Sequence, residues 1–263
     1  MDTTQQDPIR HWFADYAQGF ADADGRLPAM QQLKYDHSLK VAANARFMAT
    51  RMAWAPEEVR IGDTAGLLHD VGRFTQYAEF RTFSDAISVN HAERGYEVLR
   101  QSAVLSRLGD DCQRAIEVAV RFHNRPRVPA DLAEASRRLL LLVRDADKLD
   151  IFEILDDAVR NDKVGLYPEI ALHVDLKGAP TAAIIAAVQA REPVPYHAVK
   201  SLADFFVMQM NWMYDLNYPA ALELVHERDV VRRLGEHLAP YPEVSSLVEA
   251  ATAYVRVRGG GEG

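Results

Sequence analysis

The sequence predicts an all-α protein, and three observations support this fold class. Apolar residues recur at helical spacing along most of the chain. The alternation of apolar and polar residues that is typical of strands is nearly absent. At 263 residues, with 48% hydrophobic and 26% charged residues, the chain has the composition of a globular protein that buries a substantial core.

Helical periodicity predicts ten helices along the chain. They cover roughly residues 8–22, 30–52, 57–71, 90–107, 110–123, 133–160, 180–190, 197–215, 219–237 and 243–256. Asn90, with Glu93 three residues later, is typical of a helix N-cap. The mixed pattern of residues 74–89 predicts a loop or lid. Residues 161–179 are predicted to be an irregular connection, with one short strand as the alternative.

Charge argues against a nucleic-acid polymer as the partner of this protein. The formal net charge is −8, and the basic residues are scattered rather than clustered. A small phosphorylated substrate stays open, because a bound cation can supply positive charge locally. The single cysteine, Cys112, excludes an internal disulfide and a thiolate cluster for zinc.

The hydropathy pattern shows neither a signal peptide nor a membrane span. The first residues, MDTTQQDPIR, are polar, and no stretch approaches the ~20 apolar residues that cross a bilayer. We therefore expect a soluble cytoplasmic protein with no membrane partner.

The His69–Asp70 pair lies in the segment AGLLHDVGRF. Successive helical residues point about 100° apart, so the two side chains can share one ion only near a helix end. Gly72 predicts such an end, because glycine tolerates the left-handed conformation that stops a helix. Small residues within 62–66 would let a neighbouring helix approach closely. The alternative interpretation of the pair is a capping aspartate beside a core histidine.

Asp147 lies in an apolar helical stripe, on the same face as Leu140 and Val143. A carboxylate there must be paired, protonated or bound to a metal, because a bare buried ion is very costly. A salt bridge and a metal ligand are equal alternatives for Asp147. For Asp145, on another face near Lys148, an ion pair is the simpler interpretation.

Three further histidines stand out from the nine in the chain. His37 and His123 each lie on an apolar helical face, and His91 opens a predicted helix. Each one alone is typical of a core or capping histidine. Together with the His–Asp pair and the aspartate in the apolar stripe, they form an imidazole and carboxylate set that suits Mn, Fe, Mg or Zn.

The order His37, then His69–Asp70, then Asp147 within ADKLD resembles the H…HD…D signature of the HD-domain superfamily. This resemblance spans about residues 30–160 and implies an HD-domain helical bundle with additional C-terminal helices. Residues 1–162 would form the metal-binding core, and residues 163–263 a helical extension that packs on it and does not fold independently. The resemblance also implies that the four signature residues bind one divalent ion, and it favours Asp147 over Asp145 as the fourth ligand.

His91 and His123 fall where binuclear members of that superfamily carry extra ligands. By this resemblance Asp70 would bridge two ions, and the two histidines would complete the second site. A mononuclear site is the alternative, with both histidines contacting substrate or serving a structural role. The GYP signature of cyclic-dinucleotide phosphodiesterases does not follow His123, where the sequence is NRPRVP, and this disfavours that activity.

The resemblance implies a metal-dependent phosphohydrolase that acts on a nucleotide or other small phosphate ester through metal-activated water. One or two ions of Mn, Fe, Mg or Zn would be the cofactor. Asp70 would serve catalysis as the bridging ligand. Arg73, where similar proteins often carry lysine, and Lys148 are candidates to hold phosphate, with a surface charge as the alternative for each.

Two other functions use the same residues. HD-type mixed-valent diiron oxygenases have a similar order of six ligands, and a non-catalytic regulatory module could use the metal for stability alone. Hydrolysis is preferred because it is the commoner use of the scaffold. The sequence leaves the substrate open, and it also leaves open whether exposed apolar helix faces pair in a homo-oligomer.

Overall fold

The all-α prediction is confirmed by the computed structural model, which describes residues 1–171 and 174–260. Within those residues the chain forms twelve α-helices and no strand. It divides into two compact units, residues 1–150 and residues 151–263. No helix in the described part of the chain is both long enough and apolar enough to cross a membrane.

The first unit contains six complete helices and most of a seventh. They are α1 (Thr3–Gln18), α2 (Ala29–Arg51), α3 (Pro56–Leu68), α4 (Gly72–Phe80), α5 (His91–Ser102), α6 (Asp110–Phe122) and α7 (Glu134–Arg160). Asn90 caps α5 as predicted, because its side-chain oxygen accepts from the backbone N–H groups of Ala92 and Glu93.

Close packing of α2 against α3 brings the middle of α2 to the end of α3. A Cβ atom added to Gly66 would lie 3.0 Å from both the Cα atom of Ala42 and the carbonyl oxygen of Val41. The prediction that small residues in 62–66 admit a neighbouring helix is therefore confirmed. Val41 in α2 and Leu68 in α3 are both fully buried, and burial of one such side chain contributes about 1.5–3 kcal/mol.

The prediction that Gly72 stops a helix in the left-handed conformation is wrong. The helix α3 ends just before His69, whose backbone keeps right-handed values of φ −55° and ψ −39°, and Gly72 is the first residue of α4. Glycine is required there for close approach. An added Cβ atom would lie 2.2 Å from the carbonyl oxygen of His91 and 2.5 Å from the amide nitrogen of Gly95.

The predicted loop or lid over residues 74–89 is helical in its first part. The helix α4 continues to Phe80, and both Phe74 and Gln76 are fully buried in it. It ends where Arg81 adopts the left-handed conformation, with φ 56°. Residues 81–90, which we call the strap, then run to α5 with a single 3₁₀ turn at Asp85–Ile87.

The second unit holds five further complete helices: α8 (Ala182–Gln189), α9 (Leu202–Trp212), α10 (Pro219–Glu227), α11 (Val230–Leu238) and α12 (Ser245–Gly259). The single helix predicted over residues 219–237 is wrong, because Asp229 takes a left-handed φ of 52° and separates α10 from α11. Buried Asp156 accepts from His237 at 2.7 Å and from Arg160 at 2.6 Å within this unit.

The connection between α7 and α8 is irregular where it is described. It contains a 3₁₀ turn at Pro168–Ala171 and an isolated bridge between Asp175 and Ser201. The centre of the alternative short strand, residues 172–173, lies outside the described residues. The division at residue 162, and the dependence of residues 163–263 on the core, stay predictions.

Candidate metal centre

Five structural elements of the first unit bring the six predicted metal ligands into one cluster. The cluster consists of His37 in α2, His69 and Asp70 after α3, His91 at the start of α5, His123 just after α6, and Asp147 in α7. Five of them are buried, and the Asp147 side chain is 20% exposed. Residues that lie up to 110 positions apart in the sequence therefore meet at one place.

One half of the cluster is formed by His37, His69 and Asp147. The two Nε2 atoms of His37 and His69 are 3.2 Å apart. The Oδ1 atom of Asp147 lies 3.1 Å from the first of these nitrogens and 3.6 Å from the second. Asp70 adds its Oδ2 atom at 3.6 Å and 3.8 Å from the same two nitrogens. Two imidazole nitrogens and two carboxylate oxygens thus face one point.

The other half is formed by His91 and His123. Their Nε2 atoms are 3.0 Å apart. The Oδ1 atom of Asp70 lies 3.4 Å from the nitrogen of His91 and 3.6 Å from that of His123. The two carboxylate oxygens of Asp70 therefore face different histidine pairs, which is the arrangement of a bridging ligand.

The hydrogen bonds of the four imidazoles show that this cluster fits a cation. Each Nδ1–H donates to an acceptor behind the ring: the Asp150 carboxylate for His37, the Gly66 carbonyl for His69, the Asp85 carboxylate for His91 and the Val120 carbonyl for His123. In the neutral ring, each Nε2 then carries a lone pair aimed at the cluster.

When both rings of a pair are neutral, their facing lone pairs lie about 3 Å apart and cannot hydrogen-bond to each other, whereas a cation between them satisfies both. Imidazole nitrogens bind a metal such as zinc at about 2.0–2.1 Å, which separates neighbouring ligands by roughly 3 Å. The spacings in both halves agree with that figure. The residues present therefore fit one or two divalent ions.

In the absence of metal, the protonation of His37 differs from that of His69 and His91. Burial disfavours the charged form of His37, but hydrogen bonds to Asp147 and Asp150 outweigh it and raise its pKa to about 9. Burial lowers the pKa of His69, and it lowers the pKa of His91 to about 3. A cation entering the first half must therefore displace a proton from His37.

Both carboxylates of the cluster are held ionised. Burial by itself would raise the pKa of Asp70, but the positive charges of Lys34 and Arg73 and the contact with His69 hold it well below its usual range. Hydrogen bonds to His37 and His69 do the same for Asp147. The cluster keeps its anionic ligands at all ordinary pH values.

The two basic residues singled out in the sequence take different positions. Arg73 donates from Nη1 to the Gln76 side chain and to the backbone carbonyl of Phe83, and its Nε lies 3.5 Å from Asp70. It therefore links Asp70 to the strap. Lys148 lies next to Asp147 in α7 and is partly buried. The phosphate-binding role of both residues stays a prediction.

Three residues near the cluster were missed by the sequence reasoning. Lys34 places Nζ 2.7 Å from Asp70 Oδ2, and its position one helical turn before His37 is the signal that could have identified it. Asp150 similarly follows Asp147 by one turn. Asp85 lies in a segment without a readable motif, so no local pattern in the sequence identifies it.

The first unit is helical and is built around a histidine–aspartate cluster that fits divalent ions. These two features define a known class of metal-binding domains. Residues 35–153 match the HD domain family, and this span includes all six ligands of the cluster. Residues 35–153 thus form an HD domain, and the resemblance noted in the sequence is confirmed for this part of the chain. Searches of curated proteins and of solved structures gave no significant match. The presence of an HD domain indicates a function of the metal-dependent hydrolase type.

Proposed function

We propose that this protein is a metal-dependent phosphohydrolase that acts on a nucleotide or other small phosphate ester. The observation that carries the proposal is the position of Asp70 between two pairs of imidazole nitrogens, with one carboxylate oxygen toward each pair. This arrangement provides for two divalent ions that share one carboxylate.

Divalent ions at such a site supply the two capacities that phosphoester hydrolysis requires, polarisation of a phosphoryl oxygen and a lowered pKa for water. The protein contributes a rigid ligand set, because each imidazole is fixed by a hydrogen bond at Nδ1. The 20% exposure of Asp147, against the burial of the other ligands, indicates the side from which a small molecule reaches the cluster.

Lys34 is placed to hold an anionic oxygen at the cluster. Its ammonium group lies 2.7 Å from Asp70 and 5.4 Å from the ring centre of Phe83, and its side chain is 16% exposed. The guanidinium of Arg73, in contrast, is bonded to the strap. We therefore propose Lys34 as a phosphoryl-binding cation beside Arg73 and Lys148.

The charge of the chain supports a small substrate. With a net charge of −8, the chain lacks the clustered cations that bind a nucleic-acid backbone. A local cation at the cluster can still attract one phosphate group. We propose a cytoplasmic enzyme for small phosphorylated molecules.

The test is phosphate release from a panel of nucleotides and phosphate monoesters after reconstitution with Mn²⁺. Asp70→Ala is compared with Asp36→Ala, which removes an exposed carboxylate from the neighbouring helix α2. We expect release by the wild type and by Asp36→Ala, and release at background level for Asp70→Ala that circular dichroism shows to be folded. No release by the wild type from any compound would refute the proposal.

The same panel separates the alternative functions. The six nitrogen and oxygen ligands suit iron as well as manganese. Oxygen consumption by the iron-loaded protein, without phosphate release, would identify a diiron oxygenase. Bound metal without either activity would identify a regulatory module.

The role of Lys34 has a separate test that uses inorganic phosphate as the probe. Lys34→Met should weaken phosphate binding to the Mn²⁺ protein roughly tenfold, as expected from loss of a charge-assisted hydrogen bond. Lys34→Arg should largely retain binding. The number of bound manganese ions should be equal in both variants. Unchanged phosphate affinity in Lys34→Met would contradict this role.

A further inference from the structure

Asp85 in the strap accepts hydrogen bonds from side chains of α4, of α5 and of the turn that follows α6. Its Oδ2 atom accepts from His91 Nδ1 at 2.7 Å and from the Asn124 side chain at 3.1 Å. Its Oδ1 atom accepts from Gln76 at 2.9 Å and from Arg73 at 3.2 Å. The Asp85 side chain is 30% exposed, so it joins the second half of the cluster to the protein surface.

The contact with Asp85 sets the orientation of His91. Because Nδ1 donates to this carboxylate, the lone pair of Nε2 points toward Asp70 and His123. The rings of His69 and His123 are held differently, by backbone carbonyls three residues earlier in the chain. Each of these carbonyls lies in the same local turn as its histidine, so no other segment of the chain is needed to orient the ring.

His37 offers the direct comparison, since its Nδ1 also donates to a carboxylate. That acceptor is Asp150, which is 1% exposed and lies on the long helix α7. Asp85 lies instead in a ten-residue connection with one 3₁₀ turn. Each half of the cluster therefore contains one histidine oriented by a carboxylate, and only the acceptor of His91 stands outside an α-helix.

Besides its contact with His91, the strap is held in place by side chains of α4. Gln76 is fully buried, and its Nε2 atom donates to Asp85, to the Ser88 hydroxyl and to the Val89 carbonyl. Arg73 donates to the Phe83 carbonyl. The carboxylate of Asp85 is thus positioned beside His91 by contacts within the protein.

From this geometry we propose that Asp85 is the positioning residue of the second half of the metal centre and controls its occupancy separately from the first half. The inference rests on the proposed function, because it requires that the cluster bind two ions. Loss of a carboxylate behind a metal-binding histidine lowers metal affinity by about 10–100-fold. Neutralising Asp85 should therefore lower the affinity of the protein for one of the two ions.

The experiment counts ions in the full chain. Metal-free wild type, Asp85→Asn and Asp150→Asn are titrated with Mn²⁺ by calorimetry, and the bound metal is measured by elemental analysis after gel filtration. Glu79→Gln is the matched control, because Glu79 is an exposed carboxylate of α4 that pairs with Arg94. Circular dichroism and urea unfolding show whether each variant is folded.

We expect two ions in the wild type and in Glu79→Gln. Asp85→Asn and Asp150→Asn should each bind one ion as tightly as the wild type does and bind the other with a 10–100-fold lower affinity. To identify the half that is lost, each substitution is combined with His123→Ala. Asp85→Asn should then add little to the loss in His123→Ala, whereas Asp150→Asn should weaken the remaining ion.

The outcomes distinguish this inference from the proposed function. Two ions of unchanged affinity in Asp85→Asn overturn the inference and leave the phosphohydrolase proposal standing. A wild type that binds one ion also overturns it, because the second half is then no metal site. A wild type that binds no ion overturns both. If Asp85→Ala, which also removes the strap contacts, lowers stability but keeps two tight ions, Asp85 is structural and the inference is wrong.

Discussion

Substitution of Gly72 by alanine tests how tightly the start of α4 is packed against α5. The added Cβ atom would lie 2.2 Å from the carbonyl oxygen of His91 and 2.5 Å from the amide nitrogen of Gly95. Both neighbours are backbone atoms, so no side-chain rotation relieves the overlap. The two helices must separate by roughly 1 Å to restore ordinary van der Waals distances.

The loss of stability in Gly72→Ala follows from the rigidity of this contact. Overpacking in a well-packed core costs about 1–3 kcal/mol, and contact with backbone on both sides places Gly72→Ala at the upper end. The corresponding fall in melting temperature is roughly 6–12 °C for a unit of this size. Because His91 moves with α5, the second half of the metal centre should bind its ion more weakly.

Urea and thermal unfolding of the metal-free protein measure the stability effect, and Mn²⁺ titration measures the effect on the site. Gly165→Ala is the control, since an added Cβ atom there meets no heavy atom within 4 Å. It should change stability by less than about 0.5 kcal/mol. Gly72→Ala with stability equal to that of the control would refute the reasoning from close approach.

Titration, ion pairing and metal content each provide another test. In the metal-free protein the pKa of His37 is raised to about 9 and that of His91 is lowered to about 3, so the free energy of unfolding should be greatest near pH 6.5 and decline on both sides. Urea unfolding at a series of pH values measures this pH dependence of stability. Asp150→Asn should flatten the decline above pH 6.5, and a wild-type stability that still rises above pH 6.5 would contradict the prediction. Arg10→Met leaves buried Asp63 without its cation and should cost about 1–2 kcal/mol by urea unfolding, an effect that Arg10→Lys should reduce; an unchanged midpoint would count against it. Chelation of protein shown to contain metal should lower stability by about 4 kcal/mol if the ion was present at a thousandfold its Kd, and an unchanged calorimetric melting temperature would argue against a buried site.

Much of the helical structure could be predicted because helix formation leaves a local pattern. The spacing of apolar residues identified α2 to within one residue at each end, and α7 to within one residue at its start and without error at its end. Prediction failed where one residue in a left-handed conformation divides a periodic run, as Asp229 does between α10 and α11. It also failed at α4, where amphipathic spacing over nine residues was too short to separate from a loop.

By itself, the sequence identified the chemistry of the candidate site, since the types and order of His37, His69–Asp70 and Asp147 are properties of the chain. The tertiary structure decided how those groups are oriented. The family resemblance implied a bridging role for Asp70, but only the structure shows its two oxygens facing different histidine pairs, and only the structure assigns Asp85 to His91. The physical reason is that orientation depends on contacts between segments far apart in the chain, such as the hydrogen bond from His37 to a carboxylate 113 residues away, and no local pattern records them.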